Sequence, residues 1–193
     1  MFAQDSIALH IVLVNPQIPQ NTGNIARLCA AMNATLHLIH PLGFSLESKF
    51  VRRAGLDYWD KLNVKEYEST KAFFAALDAQ YFSLAHELES KPTFSSLHFA
   101  FSSKVNTSYF MQDFFAMQKS SQCIKSFHYF LYFGSETNGL NDCFQSCFSL
   151  IRGKYLTIPM AKDCRCLNLS NVVAIVGYEL IRQAHIYLAA KNL

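Results

Sequence analysis

The feature that most restricts the fold of this chain is residues 6–15, SIALHIVLVN, a run of strand length that is apolar and β-branched almost without interruption. A strand with one wet face alternates polar and apolar residues, whereas a strand covered on both faces has no need to. The run therefore predicts a strand inside a parallel sheet. Pro16 and Pro19 follow and force an extended loop. Residues 21–33 then place Ile25, Leu28, Cys29 and Met32 at helical spacing, with Asn21 or Thr22 positioned to cap the start. Residues 34–40 read as a second strand, closed by Pro41 and Gly43. Strand, helix, strand in this order is a βαβ unit.

The alternation continues along the chain. Residues 63–67, 97–101, 127–133 and 156–160 have strand character, residues 69–79 read as a helix capped by Ser69 with Ala72, Phe73 and Ala76 inward, and residues 170–190 as a long closing helix. This predicts an α/β fold, a mostly parallel sheet with helices on both faces. Between residues 85 and 127 the pattern weakens, with one short helix expected near 109–117. No repeat, low-complexity tract or linker divides residues 1–193, so a single domain is expected.

Charged residues make up 16% of the chain against about 25% in a typical soluble domain, and 51% is hydrophobic. Such a chain is not disordered, and part of its surface is expected to be covered, most economically by a second copy. The helices at 21–33 and 170–190 point the same way, because Val172, Val173, Val176, Leu180 and Tyr187 add more apolar positions than one sheet face covers. No apolar run approaches the ~18 residues of a membrane helix. The opening MFAQDSIALH has an early Asp and no basic stretch, so it does not read as a signal peptide. Cys29, Cys123, Cys143, Cys147, Cys164 and Cys166 are accordingly expected to be reduced thiols of a cytoplasmic protein. The net charge of +3 permits a polyanionic partner without requiring one.

Several chemistries lack their residues. No GxGxxG follows the first strand, and Gly134–Gly139 has P-loop spacing but continues Leu140-Asn141 instead of Lys-Ser/Thr. There is no GxSxG and no HExxH. Cys143 and Cys147 stand four apart and Cys164 and Cys166 two apart, a poor match to a structural zinc site. These thiols are expected to serve as small buried hydrophobes, with no metal. The seven histidines are scattered, with no pair at ligand spacing.

Three segments carry the chemical signal. The first, Asn21-Thr-Gly-Asn-Ile-Ala-Arg27, lies where a strand hands over to a helix; read alone, Arg27 is a helix arginine reaching for solvent. The second, Phe133-Gly-Ser-Glu-Thr-Asn-Gly-Leu140, is a tight polar loop whose N–H groups can cradle a ligand. The third runs from Leu156-Thr-Ile-Pro-Met160 through Ala-Lys-Asp-Cys-Arg-Cys166 to Leu-Asn-Leu-Ser-Asn171, a strand, a loop and a helix start with Asn168 or Ser170 as cap. In this order and at these positions they resemble the three signature motifs of the SPOUT class of RNA methyltransferases. The likeness is greatest to its 2′-O-ribose branch and to the small enzymes acting on the tRNA wobble nucleotide. Arg52-Arg-Ala-Gly-Leu-Asp-Tyr-Trp59 strengthens the likeness, since a near-identical stretch follows the second strand in that subfamily. It covers about residues 9–84 and 97–185, and residues 85–127 stand as a divergent insertion.

The resemblance implies a homodimer with a C-terminal trefoil knot, a feature that nothing in composition or periodicity reveals. It implies S-adenosyl-L-methionine held by the knot loops near the dimer interface, with contacts from Phe101, Gly134, Gly139, Ile158, Met160, Cys166 and Leu167. Phe101 and Ile158 would flank the adenine, and Gly134 would let the cofactor approach the main chain. Cys166 stands where the family usually has Ser, a weaker hydrogen-bonding group. Arg27 falls on the arginine associated with methyl transfer to a ribose 2′-OH. A guanidinium is badly matched to act as a base at neutral pH, so its expected role is to fix the adjacent phosphate and stabilise alkoxide charge. Asn168 and Ser170 would orient the ribose, Asn21, Arg52 and Arg53 would meet the RNA, and Glu136 would hold its loop. Further basic groups for an anticodon loop are Lys49, Arg152, Lys154, Lys162 and Arg165. The alternatives are another tRNA or rRNA ribose methylated by the same fold, and a non-catalytic RNA-binding dimer; a dinucleotide oxidoreductase lacks its glycine fingerprint.

Overall fold

The computed structural model describes residues 7–46, 62–81, 94–120, 126–151, 153–164 and 166–191. In chain order the elements are β1 (Ile7–Val14), α1 (Pro19–Met32), β2 (Thr35–Ile39), β3 (Val64–Tyr67), α2 (Thr70–Tyr81) and β4 (Phe94–Phe101). A 3-10 turn (Tyr109–Met111), α3 (Ala116–Ser120), β5 (Ser126–Phe133), α4 (Asp142–Phe148), a second 3-10 turn (Ser149–Ile151), β6 (Lys154–Leu156) and α5 (Leu169–Lys191) complete it. The strands form a single sheet in the order β3-β2-β1-β5-β4-β6. Every pairing is parallel.

Alternate residues of each strand supply the two faces. Leu9, Ile11 and Leu13 of β1, with Leu36, Leu38, Tyr129, Leu131 and Phe133, pack against Ile25, Cys29 and Met32 of α1 and Val173, Val176 and Leu180 of α5. Val12, Val14, Ile39, Phe130 and Tyr132 face Phe73 and Leu77 of α2 and Phe144 and Phe148 of α4. The unbroken apolar run of β1 is thus explained by cover on both sides. On the first face α1 and α5 approach closely because Gly177 lacks a side chain; a Cβ there would stand 2.6 Å from Met32 Sδ.

The chain winds from β1 to β2 and β3 on one side and returns with β5 and β4 on the other. The order reverses between β1 and β5, and open parallel sheets bind ligands beyond the carboxyl ends of strands at such a reversal. The loops after Val14 and Phe133 are therefore brought together by topology.

Several expectations need correction. Helix α1 begins at Pro19 rather than near Asn21, with Ile18 as an N-cap that makes no side-chain cap bond. Proline at N1 has no N–H to satisfy and a φ already suited to a helix, so it sets the start, and neither Asn21 nor Thr22 caps it. In α2, Ser69 Oγ does accept from Ala72 N at 3.2 Å, but Ala72 and Ala76 are exposed and Phe73 and Leu77 are the buried pair. Strand β6 ends at Leu156, short of Pro159, which has no N–H to give a ladder. The helix expected near 109–117 is a 3-10 turn and a separate α3. Helix α4 has no counterpart in the sequence reading; Asn141 starts it by accepting from Phe144 N at 2.8 Å.

The thiols are corrected too: Cys29 is buried, but Cys143, Cys164 and Cys166 are exposed and Cys147 is half-buried, while Cys123 lies outside the described residues. Burial, with Cys143 alongside, pushes the Cys147 thiol up. Among the described residues no group of three or more His, Cys, Asp and Glu is placed to hold a metal ion. No helix among them is long and apolar enough to cross a membrane.

The histidines are not scattered in space. His10, His37 and His128 lie on adjacent parallel strands, each two register positions from the next, with His10 Nδ1 3.0 Å from His37 Nε2 and His10 Nε2 3.1 Å from His128 Nδ1. The row ends at Tyr67 Oη, 3.1 Å from His37 Nδ1, and at Ser126 Oγ, 3.4 Å from His128 Nε2.

Candidate active site

The start of α1 is stabilised from another loop. Glu136, just beyond β5, accepts from Gln17 N at 2.8 Å and Ile18 N at 3.2 Å with its two carboxylate oxygens. A negative charge at a helix N-terminus also complements the helix dipole. The Glu136 side chain takes a third bond, from Asn21 Nδ2 at 2.8 Å. Asn21 is buried, and its Oδ1 accepts from Asn168 Nδ2 at 2.8 Å. Asn168 Oδ1 in turn accepts from Ser170 N at 2.9 Å and Ser170 Oγ at 2.7 Å, which starts α5. One hydrogen-bonded chain, Glu136–Asn21–Asn168–Ser170, thus joins all three segments singled out in the sequence. Asn141 Nδ2 adds a second tie, to Asn15 Oδ1 at 2.7 Å.

The loop after β5 is closed on itself. Ser135 and Gly139 exchange backbone bonds of 3.1 and 2.9 Å, and Ser135 Oγ accepts from Asn138 N at 3.1 Å. Gly134 is needed for this closure, because a Cβ there would overlap the backbone of Gly139 and Leu140. Its small size therefore serves the loop's own packing. Gly139 differs: its φ of 69° favours glycine, and a Cβ built there meets no atom within 4 Å. Open space lies beside that residue.

The loops after β4 and β6 form the other side. Ser102 N donates to Leu156 O at 3.0 Å, Thr157 N to Thr107 O at 2.8 Å and Tyr109 N to Thr157 O at 3.0 Å. Ile158 follows directly, half-buried against the core; Leu167 is half-buried, and Met160 and Cys166 are exposed. Phe101 ends β4 at the same edge. The residue is 7% exposed, and its ring stacks on Phe133 with centroids 5.3 Å apart. Open space beside Gly139, a closed polar loop and the apolar groups Ile158, Met160 and Leu167 fit a molecule with one flat apolar end and one polar end, which S-adenosyl-L-methionine is.

Arg27 is exposed and shares a helix face with the exposed Gln20, Asn24 and Ala31. Six residues after Asn21, it lies about 9 Å further along α1 and about 120° around it. Within one chain the helix therefore carries Arg27 away from the junction at Asn21. Arg52, Arg53, Lys49, Arg152 and Arg165 lie outside the described residues, while Lys154 and Lys162 are exposed. Sequence reasoning overlooked the N–H groups of Gln17 and Ile18 as the anchor for Glu136. The signal available was a helix start with Pro at N1 and no capping side chain before it.

The fold recurs in known proteins. A tRNA (cytidine(34)-2′-O)-methyltransferase of Yersinia pestis is 38% identical over 177 residues, 91% of this chain and 93% of that one. A Bacillus subtilis relative that bears the same activity as a provisional name is 40% identical over 178 residues, 92% of this chain and 94% of its own. A solved structure from work on the 2-OH methylation of C/U34 on tRNA superposes with a TM-score of 0.67 at 35% identity, covering 92% of this chain and 96% of that one. AviRb of Streptomyces viridochromogenes, a SpoU methyltransferase solved with AdoMet, shares the fold at a TM-score of 0.70 and 20% identity over 94% of this chain and 59% of its own. The sequence profile of the SpoU rRNA Methylase family matches residues 8–178, and the chain belongs to that family.

Proposed function

We infer that this protein transfers the methyl group of S-adenosyl-L-methionine to the ribose 2′-OH of nucleotide 34 in tRNA. The observation that carries the substrate is the near-full-length identity to the Yersinia pestis tRNA (cytidine(34)-2′-O)-methyltransferase. The hydrogen-bonded junction at Asn21 supports the chemistry, since it fixes the loops assigned to cofactor and substrate before either arrives.

The residues assigned to the cofactor are Phe101 through its backbone, Gly134 and Gly139 through the closed loop, and Ile158, Met160, Cys166 and Leu167 on the facing one. When bound, S-adenosyl-L-methionine supplies an electrophilic methyl on a sulfonium. The ribose hydroxyl is a poor nucleophile until its negative charge is stabilised. Arg27 supplies a permanent positive charge for that purpose and a planar fork of donors for the neighbouring phosphate. Asn168 and Asn21 position the loop that meets the ribose, with Ser170 buried behind Asn168. Arg52 and Arg53 are assigned to RNA contact.

The reading includes a homodimer in which Arg27 serves the partner's junction. Arg27 is exposed on α1, and α5 exposes Ile175, Tyr178 and Ile186 at helical spacing. Val173, Val176 and Leu180, by contrast, are buried within the chain, so the apolar excess lies on a different stripe from the one the sequence suggested. It also includes one domain over residues 1–193 with the C-terminal knot. What supports this is β4, which lies inside the sheet, and the arc after it, bonded to Leu156 and Thr157. The test is the ribose modification profile of tRNA from a strain lacking this gene. Loss of 2′-O-methylation at the wobble position is expected, and an unchanged profile would refute the assignment.

A further inference from the structure

The arc between β4 and α3 ends in two apolar side chains that the fold does not use. The 3-10 turn Tyr109–Met111 is fixed at its start by the Tyr109 N to Thr157 O bond of 3.0 Å and by Ser108 Oγ, which accepts from Phe110 N at 3.2 Å. Tyr109 is buried, and its ring centroid lies 4.8 Å from that of Phe110. Phe110 is nevertheless 68% exposed and Met111 88%. An aromatic ring is thus held against a buried one while most of its own surface stays open. Thr157, which pins the turn, directly precedes Ile158, so the turn adjoins the loop assigned to the cofactor.

The lysines of the arc and of the segments bonded to it suit a polyanion. Lys104 is exposed at the tip of the arc, Lys154 Nζ lies 3.4 Å from Gln112 Oε1 just past the turn, and Lys162 is exposed on the loop after Thr157. Among the described residues Asp113 Oδ1 is engaged with Phe115 N at 2.9 Å and Glu179 with Arg182 at 2.7 Å, and Asp163 is exposed beside Lys162. A second copy of a chain of net charge +3 matches such a surface less well than RNA does. Single-stranded RNA loops are recognised chiefly by stacking their unpaired bases on exposed aromatic rings flanked by basic groups.

We propose that Phe110 is a stacking platform for an unpaired base of the RNA loop that carries the target ribose, with Lys104 and Lys154 beside its phosphates. The proposal rests on the function inferred above. Its test is steady-state methylation of tRNA by the wild type and by Phe110→Ala, Phe110→Leu, Phe110→Tyr and Phe110→Trp. Calorimetry with S-adenosyl-L-methionine and sedimentation accompany each. The Ala and Leu variants are expected to raise KM for tRNA by at least about fivefold, and Tyr and Trp to stay near wild type. Turnover at saturating tRNA, cofactor affinity and sedimenting mass should not change. A Leu variant as good as wild type would overturn the proposal, because packing alone would then suffice. A loss of sedimenting mass in the Ala variant would overturn it in favour of a second copy as occupant. A wild type inactive on tRNA would remove the functional reading with it, whereas an active wild type matched by Phe110→Ala removes only this inference.

Discussion

Mild acid should destabilise this protein well before its carboxylates titrate. His10, His37 and His98 are 6%, 3% and 5% exposed. Burial lowers His10 from 6.5 to about 2, helped by His37, His128, Lys65 and His98, and lowers His37 and His98 to about 3, with Lys65 also acting on His37. The row from Tyr67 to Ser126 is satisfied when each ring gives one N–H and accepts one, all in the same direction. Because these folded values lie below the unfolded ones, the unfolded chain binds more protons between about pH 6.5 and pH 3. Stability is therefore complete above that window and lost as pH falls through it. At pH 5.5 an unfolded histidine of pKa 6.5 gains about 1.4 kcal/mol by protonation, so three such rings cost the fold about 4 kcal/mol. Domains have only about 5–15 kcal/mol in total. Urea unfolding followed by circular dichroism at pH 7.5 and pH 5.5 reads this directly. With a slope near 2 kcal/mol per molar, the midpoint should fall by about 2 M. His98→Gln, which keeps an amide beside Tyr132 Oη, should remove about a third of the drop. A midpoint unchanged or higher at pH 5.5 would refute the neutral buried row.

The junction gives further predictions. Glu136→Gln places an amide N–H₂ where a carboxylate accepts three bonds; a cost of about 2 kcal/mol lowers Tm by about 4–8 °C, and calorimetry should show weaker cofactor binding. Gly134→Ala forces the loop off Gly139 and Leu140. Overpacking of this kind costs about 1–3 kcal/mol, and cofactor affinity should fall at least about tenfold. Ile175→Asp with Tyr178→Asp puts charge on the exposed stripe of α5; sedimentation should shift from twice 21.9 kDa toward 21.9 kDa, with loss of methylation. A wild type that sediments as a monomer at micromolar concentration would contradict the dimer.

Much of the fold is legible in the chain because strands covered on both faces leave an unmistakable record. β1, β2 and β5 are near-continuous apolar runs, and the helix between the first two shows its buried side as Ile25, Cys29 and Met32. Short elements leave less of a record: α4 has seven residues and β6 three. The site divides in the same way. Asn21, Glu136 and Asn168 stood out through their motifs, but their mutual bonds join residues 115 and 147 apart in sequence. Only sheet order brings such residues together. The histidine row illustrates the point, since His10 and His128 are 118 apart and meet diagonally across the paired strands β1 and β5. The exposure of Phe110 was equally invisible, because its neighbours Phe114 and Phe115 are buried and composition does not separate them.

The most direct test of the central claim is mass spectrometry of nuclease-digested tRNA after incubation with the purified protein and S-adenosyl-L-methionine, for the wild type and Arg27→Ala. The wild type should place a single methyl on the ribose of nucleotide 34, and Arg27→Ala should bind the cofactor as before yet transfer none. A methyl on a base, a methyl at another nucleotide, or undiminished transfer by Arg27→Ala would contradict the account.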